Sequence, residues 1–262
     1  RRCRTSALDV EKYRTRHLCI SEWIIDEGVV LLSETICMKY FSEAIRHAPG
    51  LQNISFASCV ATSDDGMQCF SEAIRHAPAL QNISLFSCLE MSDDGMKSFS
   101  EAIRHSPALQ NISLDCEKIS DDAMKSFADA IQHVPALQNI SFSCPEISDE
   151  GMKSFSEAIR HSPALQNISL DCEKISDDAM KSFADAIQHV PALQNISFSC
   201  PEISDEGMKS FSEAIRLAPW LQNISLRLCH QWEGANFDIF SKVGGDNSGS
   251  ASSCAGVAEN QS

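Results

Sequence analysis

Two hydrophobic rhythms alternate along the chain. In "LQNISL" (80–85), Leu80, Ile83 and Leu85 are apolar, and the last two alternate with polar Asn82 and Ser84. That period of two sends successive side chains to opposite faces of a short strand. A cysteine-containing turn follows. The stretch "MSDDGMKSFSEAIRHSP" (91–107) then changes rhythm, with Met96, Phe99, Ala102 and Ile103 recurring at helical spacing as one apolar stripe. Ser92 stands at the N-cap of the predicted helix, and Asp93 and Asp94 complement its positive start. Arg104 and His105 complement its negative end, and Pro107 marks the stop.

The pair of rhythms repeats. The leucine that opens "LQNIS" falls at Leu51, Leu80, Leu109, Leu137, Leu165, Leu193 and Leu221, with spacings of 29, 29, 28, 28, 28 and 28. A second level lies above this: residues 95–160 are identical to residues 151–216, so the duplicated unit is a pair of repeats. A strand and a helix with one apolar face each cannot bury that face alone and must stack on their neighbours. Successive strands then run parallel, joined by right-handed crossovers. Strands sit about 4.8 Å apart and packed helices about 8–10 Å, so the stack bends with its strands on the concave side. The expected fold is α/β, a solenoid horseshoe with a concave parallel sheet and convex helices.

"LQNISLFSCLEMSDDGMKSFSEAI" resembles a leucine-rich repeat, L-x-x-L-x-L-x-x-C/N, of the ribonuclease-inhibitor type, in which a full helix follows each strand and the repeat is correspondingly long. The resemblance covers about residues 18 to 233. "CPEISDEGM" also looks like the cysteine-containing repeats of F-box substrate receptors, although those are shorter. The ribonuclease-inhibitor resemblance implies protein binding without catalysis. It further suggests the ligand-sensing end of a larger receptor, such as the nucleotide-oligomerization-type immune sensors.

The ends depart from the pattern. Residues 1–17 form a basic flank, and residues 18–50 read as a degenerate repeat, Leu18 and Ile20 as strand, followed by one long or kinked helix. The regular repeats span residues 51–233. Residues 234–262 read as a degenerate cap and, from Gly244, a flexible tail; Trp220, Trp232, Phe237 and Phe240 are candidates to cover the last repeat. The chain starts with Arg, which we read as a fragment or a processed product. An F-box would have to precede residue 18, and the basic flank is too short for one.

Charge narrows the partners. A net charge of −15 and a pI near 4.9 disfavour nucleic acid and anionic membranes, and leave a protein partner with a basic surface. No window has the roughly 18 continuous apolar residues of a membrane helix.

The polar series suggest chemistry only to lose it. Asn53, Asn82, Asn111, Asn139, Asn167, Asn195 and Asn223 each open an N-I-S triplet, the acceptor signal for N-glycans in a secreted protein. Seven glycans at roughly 5 Å intervals along one surface would crowd each other, so scaffold surface is the expected role. Cys59, Cys88, Cys116, Cys144, Cys172, Cys200 and Cys229 share one turn position. Parallel Cβ vectors hold neighbouring Cβ atoms at the strand spacing, wider than a disulfide prefers, which favours buried thiols in a reducing, cytoplasmic compartment. His47, His76, His105, His133, His161 and His189 sit one per helix, too far apart to share a zinc. We therefore expect no metal, no cofactor and no catalysis. The best candidates for binding are outward strand positions: Asn82, Ser84, Asn111 and Ser113, and the variable series Ala57, Phe86, Asp115, Ser143, Asp171, Ser199 and Arg227. Phe86 beside Asp115 and Asp171 fits a partner with an apolar anchor and a basic rim. Two alternatives from the same reasoning are a free inhibitor or F-box-type adaptor, and a secreted glycoprotein.

Overall fold

The structure is a computed structural model that describes residues 17–20, 42–56, 63–86, 88, 91–200 and 203–227. Strand and helix alternate as the two rhythms require. The strands are β1 (His17–Ile20), β2 (Asn53–Phe56), β3 (Asn82–Leu85), β4 (Asn111–Asp115), β5 (Asn139–Ser143), β6 (Asn167–Asp171), β7 (Asn195–Ser199) and β8 (Asn223–Arg227). They form one parallel sheet in sequence order. The helices are α1 (Asp64–Ile74), α2 (Asp93–Ile103), α3 (Asp121–Ile131), α4 (Asp149–Ile159), α5 (Asp177–Ile187) and α6 (Asp205–Leu217). Residues 42–46 are also helical.

The register is uniform: Asn stands beside Asn, Ile beside Ile and Ser beside Ser from β2 to β8. A slip of one residue would expose every Ile and bury every Ser, so the apolar alternation fixes the pairing. β1 starts at His17, one residue earlier than expected, and sets Leu18 against Ile54 and Ile20 against Phe56. The rest of the basic flank, the part of the expected long helix before residue 42, Trp232, Phe237, Phe240 and the tail lie outside the described residues.

The core lies between sheet and helices. From the strands come Ile83, Leu85, Ile112, Leu114, Ile140 and Phe142, and from the helices Met96, Phe99, Met124, Phe127, Met152 and Phe155, all buried. Phe142 packs edge-on against Phe127 at 4.7 Å and against Phe155 at 6.3 Å, an arrangement that sets the positive ring edge on the negative face. Each helix stops before its proline. In α2 the last helical residue is Ile103 and Arg104 is the C-cap, while Pro107 lies further on. A run of tight turns, His105 N–H to Ala102 O, Ser106 N–H to Ile103 O and Leu109 N–H to Ser106 O, leads the chain into the next strand. Because a proline disfavours helix in the residue before it, Pro107 holds Ser106 out of the helix rather than ending it. By repeat length, parallel register and strand–helix alternation the chain is a leucine-rich-repeat-like solenoid.

Candidate protein-binding face

Strand alternation sends Asn, Ser and the fifth strand residue to the face away from the helices. The strand burial patterns confirm it: Asn82 and Ser84 are half-buried around buried Ile83 and Leu85, and Asn111, Ser113 and Asp115 around buried Ile112 and Leu114. Six consecutive strands, β3 to β8, line one trough on this face through their Asn, Ile and Ser residues, with a volume of about 480 Å³. The sheet face is therefore concave.

Three rows run across the trough. The Asn row is a continuous side-chain ladder: the Nδ2–H of Asn82 donates to Oδ1 of Asn53, and Asn111, Asn139, Asn167 and Asn195 each donate in the same way to the preceding Asn. Asn223 completes it, donating to Asn195 Oδ1 at 2.6 Å. From Asn82 to Asn195 the amides are half-buried and engaged with their neighbours, so a sugar on any of these nitrogens would crowd the row. The Ser row, Ser84, Ser113, Ser141 and their equivalents, also lines the trough. The third row holds the variable residues in register: Asp115 opposite Ser143, Ser143 opposite Asp171, Asp171 opposite Ser199, and Ser199 opposite Arg227 at β8. Phe86 continues this row one strand before Asp115, its N–H donating to Phe56 O at 3.0 Å. With 44% of its surface exposed, it is one of two large apolar side chains open to solvent among the described residues; the other is Leu217 at 55%. Phe86, Asp115, Ser143, Asp171 and Ser199 thus share one face with Asn82, Ser84, Asn111 and Ser113. Ala57 lies outside the described residues.

The cysteines sit behind this face. Cys88, Cys116, Cys144, Cys172 and Cys200 are buried and outside any disulfide, and the N–H groups of the first four prolong the ladder beyond the strands, Cys116 to Ser143 O at 3.0 Å and Cys144 to Asp171 O at 3.0 Å. Burial pushes the Cys144 thiol well up, with Cys172 and the Asp115 carboxylate adding to it. Burial and then Asp171 push Cys172 up to about 12, and Cys200 rises for the same reasons with Cys172 contributing. A thiol held protonated is a poor nucleophile and metal ligand, so these three pack rather than react. His47, His76, His105, His133, His161 and His189 are exposed near the helix ends, where His47 meets Glu43 at 2.9 Å and His105 meets Glu101 at 3.7 Å. Among the described residues no three His, Cys, Asp or Glu side chains converge to hold a metal, and no helix is long and apolar enough to cross a membrane.

A link between repeats escaped the sequence reading. From α1 to α5 the first aspartate does more than complement its own helix start. Asp121 accepts from the N–H and hydroxyl of Ser148, the N-cap of the next repeat, at 2.9 and 2.5 Å. Asp64 does the same to Ser92, Asp93 to Ser120 and Asp149 to Ser176, as does Asp177 to Ser204. Ser120 and Ser148 make no side-chain cap to their own helices. The close approach also accounts for Gly151, where an added Cβ would lie 2.5 Å from Asp121 Oδ1, although Ala123 and Ala179 fill the equivalent place in alternate repeats. The only sequence signal was that "SD" recurs without exception while the residues beside it vary.

No protein-family model matches the chain, and no curated protein does. Among solved structures it is similar to a protein from Bacteroides fragilis, with 15% identity, 82% of this chain covered and a TM-score of 0.43. It is similar to the Rad7 and Elc1 complex in yeast, with 15% identity, 74% covered and a TM-score of 0.42. A third likeness is to TLR13 in its complex with ssRNA13, with 11% identity, 73% covered and a TM-score of 0.29. The chain spans 65%, 58% and 35% of those three chains.

Proposed function

We propose that the chain is a non-catalytic protein-binding scaffold, and that it serves as the ligand-sensing part of a larger intracellular receptor. The trough across β3 to β8, with Phe86 exposed in the row beside it, carries this reading. An aromatic ring costs free energy when left in water, and a concave face edged by such a ring and two carboxylates has the make-up of a binding hot spot with a polar rim. Buried cysteines that form no disulfide with their neighbours in the row are consistent with a reducing compartment. Catalysis needs a singular constellation of groups, whereas nearly every polar residue here belongs to a series. The test is site-directed photo-cross-linking. A photoreactive side chain in place of Phe86 should capture protein from a cell extract, and the same group in place of Lys125, exposed on helix α3, should not. Equal capture at both positions, or none at position 86, overturns the reading.

A further inference from the structure

The third row on the concave face has twice the period of the sheet. Asp115, Ser143, Asp171 and Ser199 are consecutive neighbours in register, so carboxylates fall on every second strand. At about 4.8 Å per strand, Asp115 and Asp171 stand about 9.6 Å apart along the trough. Asp171 is exposed and Asp115 half-buried. The alternation stops at β8, where Arg227 opposes Ser199 and reverses the sign of charge.

A ligand that uses both carboxylates must present cations at that interval on one side. A polyproline II helix does so: at about 3.1 Å per residue and three residues per turn, every third side chain returns to the same side after about 9.3 Å. A β-strand returns after about 6.7 Å and an α-helix turn after about 5.4 Å, and neither divides into the two-strand interval as closely. Hydrogen-bonding chemistry selects in the same direction. The broad face of a sheet offers side chains rather than free backbone edges, so an added strand would find no ladder there. A polyproline II segment needs none, because its backbone has no internal hydrogen bonds and its carbonyls seek outside donors. Ser113, Ser141, Ser169 and Ser197 line the trough, and a hydroxyl turned toward the ligand can supply one, while the Asn amides are engaged in their own ladder. Phe86, one strand before Asp115, offers the aromatic surface on which proline rings pack.

We propose that the trough takes a proline-rich segment of a partner protein in polyproline II form, carrying Arg or Lys at every third residue. Its cations lie on Asp115 and Asp171, and a proline at one end lies on Phe86. This rests on the protein-binding reading above and sharpens it to one partner chemistry.

The experiment uses the full chain and two fluorescent peptides of equal composition and charge, one repeating Pro-Pro-Arg three times and one with six prolines followed by three arginines. Fluorescence anisotropy should show the periodic peptide binding about tenfold tighter, the gain of two aligned ion pairs over two misaligned ones. That advantage should vanish with Asp171→Asn, an exposed position where the fold is not at stake, and overall affinity should fall with Phe86→Ala. Equal binding of the two peptides, binding of neither, or an advantage that survives Asp171→Asn overturns the proposal. If cross-linking through position 86 succeeds in that event, the face still binds protein and only the partner class is wrong; if cross-linking also fails, the underlying reading falls with it.

Discussion

Replacing Asp121 by Ala removes the link between the third and fourth helices while leaving both helices' apolar faces untouched. Asp121 accepts two charge-assisted hydrogen bonds from Ser148, at 2.9 and 2.5 Å, and both residues are half-buried. A hydrogen bond to a charged group contributes about 1.5–3 kcal/mol when buried and less when water shares it, so about 1 kcal/mol each is the appropriate scale here. The expected loss is therefore about 2 kcal/mol. Asp122→Ala supplies the control, since it removes the same charge from the same helical turn at an exposed position with no bond to Ser148; it should cost about 0.5 kcal/mol. A solenoid transmits stability only between neighbours, so the lost link weakens one interface rather than the whole array. Urea unfolding followed by circular dichroism should show a lowered midpoint, with a broadened or split transition for Asp121→Ala alone. Hydrogen exchange should rise first at residues 144–150, next to the broken link. If Asp121→Ala and Asp122→Ala lower the midpoint equally, the aspartates act only on their own helix ends and the inter-repeat role is refuted.

Other consequences are open to the same methods. Asn167→Ala removes two rungs of the ladder, its own bond to Asn139 and the one it receives from Asn195, and should cost about 2 kcal/mol; Asn223→Ala removes one rung and should cost about half as much, as urea midpoints will show. Stability should fall above pH 9. The thiols of Cys144, Cys172 and Cys200 keep their protons in the fold beyond the ordinary value of 9.0, so the unfolded chain loses its protons first. Each thiol then withdraws about 1.4 kcal/mol at pH 10, and a triple Cys→Ala variant should flatten that part of the pH profile. Phe142→Leu should cost about 1–2 kcal/mol by thermal melting, at the low end for a core aromatic because Leu114 and Leu170 hold the same place in neighbouring strands.

The fold was legible because it is repetitive and local. Ile83 and Leu85 alternate with Asn82 and Ser84 whichever repeat one reads, and any register other than Asn on Asn would turn the core outward. The outward placement of Phe86, Asp115 and Asp171 followed from the same parity. The inter-repeat hydrogen bonds were not legible, because Ser92 and Asp93 carry familiar meanings within one helix and nothing in one repeat states that Asp64 reaches Ser92 in the next. The Asn row shows the opposite failure: N-I-S carries a strong meaning as a processing signal, and only the in-register stacking of parallel strands reveals that the amides satisfy one another.

The interior and the concave face alternate with the same two-repeat period, and this joins them. Inside, Leu114, Phe142, Leu170 and Phe198 alternate along the strands, and Ala123, Gly151, Ala179 and Gly207 along the helix starts. Phe142 fills the space between the helix rings Phe127 and Phe155. The duplicated pair of repeats carries one Leu strand and one Phe strand, although Leu also stands beside Leu where β3 meets β4, at Leu85 and Leu114. Copying the two-repeat packing unit necessarily copied the surface it carries, one Asp and one Ser in the third row. Each such copy lengthens the trough by two strands and adds one carboxylate about 9.6 Å further on. The duplicated unit thus sets the spacing of charge on the concave face, and a ligand matched to that spacing gains one ion pair for every unit added.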